Sequence, residues 1–431
     1  MTIEQLYQTY LQSRSVTTDS RQIVPDCIFF ALKGETFDGN AFAPQALEQG
    51  AALCVISDPK YKTDDRCIVV PDVLSTLQQL AQHHRAHLDI PFVGITGTNG
   101  KTTTKELVHA VLSRKYRTHA TQGNFNNHLG VPLTLLSIPA DAQIAIIEMG
   151  ANHPGEIAAL CDIADPNYGL ITNVGRAHLE GFGSFEGVIH TKTELYRHLA
   201  GKQGTAFVNA DNDLLMEQAA KYQLRTISYG ASDHAQMRGH LVGSAPYMKF
   251  YIEEGDNVYT IQSHLLGNYN FDNCMAAVAV GRYFGVEPWD IKEAVEQYSP
   301  TNKRSQYKET EHNTLILDCY NANPSSMKVA LDNFESLPME NKVAMLGGMH
   351  ELGTESQKEH EAIVSRLSNC SNTLSVLVGE EFEFAQSTDG IIWFPTVEEA
   401  AAYFKLHPLN HSTILLKGSN TTKMWKMEEV L

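Results

Sequence analysis

No stretch of this 431-residue chain approaches the roughly 18 uninterrupted apolar residues needed to span a bilayer, so membrane insertion is not expected. Basic residues are also scarce. Lys and Arg total 33 against 50 Asp and Glu, a formal net charge of -17. Non-specific nucleic-acid affinity comes from cations neutralising phosphates, so this balance argues against a nucleic-acid partner, and any anionic ligand has to be held by local donors and metal. The seven cysteines (Cys27, Cys54, Cys67, Cys161, Cys274, Cys319 and Cys370) are scattered, odd in number and never spaced C-x-x-C. Neither a disulfide framework nor a zinc site is indicated, which fits a reducing compartment. Internal repeats, low-complexity segments and long charge runs are missing too. At the N-terminus, Ile3, Leu6, Tyr7, Tyr10 and Leu11 fall at helical spacing among polar residues, which predicts an amphipathic helix and not a signal peptide. A cytoplasmic protein is expected.

What is present is material for packed cores: 43% hydrophobic and 19% charged residues. At roughly 150 residues per domain the length predicts about three units. Residues 1–88 hold short apolar runs broken by Asp, Gly and Pro, then a helical stretch at 74–88, which reads as a small N-terminal α/β domain. Asp89-Ile90-Pro91 is the expected linker, because a residue before proline is pushed out of the helical region. Residues 89–303 open with a strand, a glycine-rich turn and a helix; strands recur at 144–147, 169–172 and 205–208 with helices between them. That alternation predicts a central, mostly parallel sheet of the P-loop ATPase-like kind, extended by antiparallel strands between 236 and 262. Residues 304–431 alternate again and predict a second doubly wound, Rossmann-like domain. In such domains ligands sit at the carboxyl ends of the strands. The fold class is α/β in three domains.

The glycine-rich turn is Gly97-Thr98-Asn99-Gly100-Lys101-Thr102-Thr103-Thr104. Glycines let successive backbone N–H groups converge on phosphate oxygens, and the helix N-terminus adds positive potential. Lys101 can reach terminal phosphates and Thr102 can ligate magnesium. Ile95 stands where the strict pattern has glycine, so the match is to a variant that begins at Gly94. Glu148, at the end of an apolar strand, is placed to bind magnesium, which prefers hard oxygen ligands. His178 follows the next strand, and Lys192 lies fourteen residues beyond it.

In this combination the chain resembles the Mur ligase family over nearly its whole length. The resemblance implies that Thr102 and Glu148 bind one magnesium ion, that His178 binds a second, and that Lys192 is carbamylated, which turns a cation into an oxygen-rich anion suited to the metal. With Lys101, these are the expected catalytic residues, and ATP and Mg2+ the expected cofactors. Other segments resemble the branch that adds D-alanyl-D-alanine. Asn124, Asn126 and Asn127 lie in a match to its substrate loop, and 318–327 (Asp318, Tyr320, Asn321 and Asn323 among them) in a match to its nucleotide motif. Asn273 is implied to read the adenine, Arg304 to reach the phosphates after domain closure and Asp318 to hold the ribose. Ser20, Arg21, Lys33 and Gly34 lie in segments that resemble the binder of the UDP end of a muramoyl tripeptide, for which hydroxyl and cationic donors on tight turns are apt. Lys417 is expected among the substrate contacts.

The implied reaction is ATP-dependent, ADP-forming ligation of D-alanyl-D-alanine to UDP-N-acetylmuramoyl-tripeptide, both small molecules, by an enzyme expected to act as a monomer. Two positions depart from the branch. Gly348 stands where Asp is usual and Asn420 where Arg is common, both in the domain expected to hold the incoming amine. A sister ligase adding one amino acid, a folylpolyglutamate-type ligase, a phosphate-loop NTPase switch and a non-catalytic nucleotide-binding scaffold are the rival readings. The sister that adds a diamino acid has an Asp-Asn-Pro-Arg signature that is absent here. His83, His84 and His87, on a polar helix without an obvious acid partner, read as solvated histidines.

Overall fold

The computed structural model describes residues 1–431 except Ala245 and Ser371, and the side chain of Leu179. Among the described residues, three sheets organise the chain. The first is parallel, in the order β1 (Ser15–Thr17), β2 (Cys27–Phe30), β3 (Leu53–Ile56), β4 (Cys67–Val69). Its two inner strands are buried throughout, as continuous apolar runs covered on both faces must be. One face packs on helix α1 (Val73–Ala86), capped by Asp72, whose carboxylate accepts from Ser75 N at 2.6 Å. This helix also binds the neighbouring unit. Arg85 donates to Ala164 O and Asp165 O at 2.9 and 2.8 Å and stacks 3.8 Å over Phe92.

Two of the three histidines on that helix correct the sequence reading, whereas His87 is exposed as expected. His84 is only 7% exposed, and its Nδ1 faces the Tyr7 hydroxyl at 3.3 Å, while His83 pairs with Glu4 at 3.1 Å. The partners come from the N-terminal helix Ile3–Gln12, some 80 residues upstream, and packing of that helix supplies both the burial and the acid.

The central sheet has nine strands: β5 (Phe92–Thr96), β6 (Thr118–Ala120), β7 (Ile144–Glu148), β8 (Tyr168–Ile171), β9 (Thr205–Asn209), β10 (Arg225–Gly230), β11 (Met237–Gly243), β12 (Lys249–Glu254) and β13 (Asn257–Gln262). Their order is β13-β12-β11-β10-β9-β8-β5-β7-β6, parallel from β6 to β11 and antiparallel through β12 and β13. Strand β5 lies between β7 and β8, so the carboxyl ends of all three meet around the turn that follows it. Helix α2 (Lys101–Leu112) leaves that turn and packs against α3 (Asn270–Tyr283), where a Cβ on Gly281 would meet Val111 at 2.4 Å.

The third sheet runs β14 (Gln306–Glu309), β15 (Thr314–Asp318), β19 (Thr413–Lys417), β16 (Lys342–Gly347), β17 (Thr373–Val378), β18 (Ile391–Phe394). Five strands are parallel and β14 is an antiparallel edge. That edge is four residues of mixed polarity and is not visible in the hydrophobic pattern. Helix α4 (Pro324–Ser336) starts just beyond β15 and aims its N-terminus at the phosphate loop.

Candidate active site

The turn after β5 is braced by the end of β8. Thr98 N donates to Asn173 O at 2.9 Å, Asn99 N to Asn173 Oδ1 at 3.0 Å, and Thr172 Oγ1 to Asn99 O at 2.6 Å. Glycine is required twice. Gly97 has φ +142 and a Cβ there would stand 2.0 Å from Thr172 Oγ1; Gly100 has φ +78 and its Cβ would meet Asn273 Oδ1 at 2.6 Å. Lys101 folds over the loop and donates to Gly97 O and Thr98 O at 2.8 and 3.0 Å. Burial pulls its pKa down to about 8, against the opposing effect of Glu148 and with a smaller downward push from Arg304.

Beside this loop the β5–β7 register pairs Ile95 with Glu148. Glu148 is 1% exposed, and its Oε1 accepts from Thr102 Oγ1 at 3.1 Å and from Asn126 Nδ2 at 2.9 Å. Its Oε2 is buried with no partner among the described residues. A buried carboxylate oxygen without a donor is costly, and a divalent cation would satisfy it, so the donor set of Thr102 and Glu148 fits magnesium. Asn124 lines the same cavity, and Asn127 uses its Oδ1 to accept from Leu129 N and Gly130 N at 3.1 and 2.9 Å.

His178, at φ +50, turns its Nδ1 to the carboxylate of Glu351 on the third unit. Burial lowers its pKa, with Glu351 opposing. Lys192 is 2% exposed at the end of the helix Phe185–Lys192; its Nζ lies 3.4 Å from Ala151 O and 5.3 Å above the Phe182 ring. Burial, then repulsion by Lys101, lowers its pKa to about 7. Lys192 does not itself line the cavity, whereas Ala151, whose carbonyl it faces, does. Among the described residues no three His, Cys, Asp or Glu side chains gather in a metal-binding group.

The far wall comes from the third unit. Asp318 Oδ2 pairs with Lys417 Nζ at 2.6 Å, and Oδ1 accepts from Ser305 N at 3.2 Å. Lys417 is 1% exposed, so its charge is committed to that pair. The Arg304 guanidinium stacks 3.7 Å over Tyr320. Asn321 folds its amide oxygen onto Ala322 N at 2.9 Å, and Asn323 Nδ2 crosses to Asn99 Oδ1 at 2.9 Å. Asn273, under the loop, donates to Asn270 Oδ1 at 2.8 Å and accepts from Thr104 Oγ1 at 3.0 Å. Together these walls enclose a cavity of about 770 Å³ that includes Thr98, Asn99, Lys101, Thr103, Glu148 and His178.

The expected UDP-end residues stand apart from it. Ser20 and Arg21 form a short turn in which Arg21, with its side chain 87% exposed, makes a bidentate pair with Asp19. Gly34 packs on the Phe37 ring, and Lys33 lines a second cavity of about 420 Å³ with Phe37 and Asp72. His128 borders both cavities. Residue-type reasoning passed over His128, Glu351 and Thr172, whose placement depends on contacts far away in the chain.

Three family models cover most of the sequence: the Mur ligase family catalytic domain at 13–85, the Mur ligase middle domain at 95–281 and the Mur ligase glutamate ligase domain at 303–420. The UDP-N-acetylmuramoyl-tripeptide--D-alanyl-D-alanine ligase of Bacillus subtilis is 38% identical over 351 residues, 80% of this chain and 76% of that protein. The chain belongs to the Mur ligase family. The structure of MurF from Acinetobacter baumannii superimposes with a TM-score of 0.87 at 31% identity, covering 99% of this chain and 97% of that one. MurF ligase from Thermotoga maritima, solved in complex with ADP, gives 0.85 at 28% identity with 97% of each covered. Within this Mur ligase a Cβ at Gly348 would lie 2.4 Å from Glu381 Oε2, the far end of a flexible side chain, so an aspartate there would have to displace the Glu381 carboxylate. Asn420 opens a short turn, Asn420–Thr422, and nothing in the structure explains its choice.

Proposed function

We propose that this Mur ligase joins D-alanyl-D-alanine to the terminal carboxylate of UDP-N-acetylmuramoyl-tripeptide, converting ATP to ADP and phosphate, in the synthesis of peptidoglycan precursors. The observation behind this reading is a single cavity that combines Lys101 on a phosphate-binding turn, the unpaired oxygen of Glu148 and, from the third unit, Asn323 and Arg304. A nucleotide switch needs the first two; the wall from the third unit suits an enzyme that must also admit an amine. Relatives named as UDP-N-acetylmuramoyl-tripeptide--D-alanyl-D-alanine ligases support the dipeptide over a single amino acid as donor.

A carboxylate resists attack by an amine because its leaving group would be oxide. In the first step a carboxylate oxygen attacks the terminal phosphorus of ATP, the bridging P–O bond breaks and ADP departs. The dipeptide nitrogen then attacks the acyl carbon, the C–O bond to phosphate breaks and the nitrogen gives up a proton. Two anions meet in the first step, so Lys101 and the loop's N–H groups have the task of offsetting phosphate charge. Thr102 and Glu148 would hold magnesium, which supplies further charge neutralisation at the phosphates. His178 and a carbamylated Lys192 would hold a second ion. The low pKa of Lys192 supports this modification, since only a neutral amine combines with carbon dioxide. Extended substrate would run from the cavity at Lys33 past His128 to the larger one. With the small-molecule substrates and no helix long and apolar enough to cross a membrane among the described residues, a cytoplasmic site of action is the matching proposal.

Phosphate release measured with ATP, UDP-muramoyl tripeptide and D-alanyl-D-alanine tests the reading. Release should require all three. Release that persists without the dipeptide, or that a single amino acid supports equally well, would overturn it.

A further inference from the structure

Between helix Pro288–Gln297 and β14 the chain crosses from the central unit to the third, and Arg304 lies on this crossing. Its backbone is unusual on both sides: Lys303 has φ +58 and Ser305 φ +50, although neither is glycine. Such conformations persist only where surrounding contacts over-determine them. On the downstream side, Ser305 is held by the Tyr269 hydroxyl at 2.6 Å and by Asp318 at 3.2 Å. Upstream, one carboxylate does the holding. Glu106, in the second turn of α2, accepts from the Tyr298 hydroxyl at 2.5 Å and from Asn302 Nδ2 at 3.1 Å on each oxygen. Lys105 stands 3.7 Å away and balances its charge. Arg304 itself makes its contact by stacking on Tyr320 and lines the cavity, with its Nε buried and without a partner among the described residues.

We propose that Glu106 is a positioning residue that clamps the crossing at Tyr298 and Asn302 and so fixes Arg304 over the phosphate-binding turn. The helix that carries Lys101 and Thr102 thereby sets the place of a cation supplied from the domain crossing, and loop and arginine move as one body. A charged acceptor shared by three donor contacts is stronger than neutral ones, which suits a clamp. The inference rests on reading the cavity as an ATP site, and nucleotide binding to the full chain tests it without the ligation step.

Affinity for a non-hydrolysable ATP analogue with magnesium would be measured by calorimetry for the wild type, Glu106→Ala, Asn302→Ala, Arg304→Ala and the Glu106→Ala/Arg304→Ala pair, with melting curves as a folding control. Glu106→Ala should weaken binding on the order of tenfold, Asn302→Ala should weaken it in the same direction, and the double variant should match Arg304→Ala, because a residue acting through another is not additive with it. In the ligation assay the KM for ATP should rise while that for the UDP substrate stays put, and Glu106→Gln, which keeps an acceptor oxygen, should recover most of the loss. Losses that multiply in the double variant, or wild-type analogue affinity in Asn302→Ala and Glu106→Gln together with a folded, unimpaired Glu106→Ala, would overturn the proposal. Should Glu106→Ala fail to fold, wild-type affinity in Asn302→Ala alone would overturn it. A wild type that binds the analogue but never ligates the dipeptide would sink the proposed function and leave the clamp standing.

Discussion

Thr102 and Glu148, 46 residues apart, meet through a 3.1 Å hydrogen bond that engages one oxygen of the glutamate and leaves the other buried and unpaired. The pair forms because β5 and β7 are parallel neighbours, so the start of the helix after one strand faces the last residue of the other.

Replacing Glu148 by Gln should therefore separate stability from activity. The amide can still accept from Thr102, and the chain no longer buries an uncompensated carboxylate oxygen, so the melting temperature should hold or rise. Turnover at saturating magnesium should fall by about a hundredfold or more. Magnesium titrations of ligation beside melting curves check this, and wild-type turnover in the variant would remove Glu148 from the metal site.

Lys192→Ala should abolish ligation, with formate or acetate restoring part of it by supplying the lost oxygen donors. In the wild type, isotope-labelled bicarbonate should give a carbamate carbon signal that the variant lacks. Full activity in the Ala variant would remove the carbamate from the mechanism.

Asn323 has two tasks that substitution can divide. Its Oδ1 caps α4 through Ser326 N at 2.8 Å, and its amide donates to Asn99 across the domains. Asn323→Asp should keep the cap and the melting temperature while weakening nucleotide binding. Asn323→Ala should lose both, at a stability cost of about 1 kcal/mol. Equal melting temperatures for the two variants would show that the cap contributes nothing.

Burial, helped by His87 and His83, holds the pKa of His84 down to about 4, against an ordinary value of 6.5. The unfolded chain takes up the proton first, so stability should be level above pH 6.5 and decline as pH falls from there toward 4. In His84→Leu that decline should be shallower, seen as a smaller difference between melting temperatures at pH 7.5 and 5. An unchanged difference would mean that other groups govern the acid limb.

Much of the α/β architecture was legible because strand and helix leave local marks. Runs such as 144–147 are apolar throughout since helices cover both faces of the sheet, and the turn at 97–104 announces a phosphate cradle by its glycines and its lysine. Short elements left no such mark. Ser15–Thr17, Thr118–Ala120 and Gln306–Glu309 are three or four residues long and only partly buried or exposed, too brief for a period to emerge. The histidines at 83 and 84 looked solvated because their burial comes from Tyr7 and Glu4, which the sequence separates from them.

Composition and local pattern thus determined that this chain folds as α/β layers with a phosphate-binding turn at the mouth of a parallel sheet, since those properties reside in residues next to one another. Tertiary structure alone decided that Glu351 would reach His178, that Glu106 would hold the crossing beneath Arg304, and that the Glu381 carboxylate would fill the space beside Gly348. Such contacts join groups 30 to nearly 200 residues apart, and their geometry depends on how whole elements pack, which no window along the chain records.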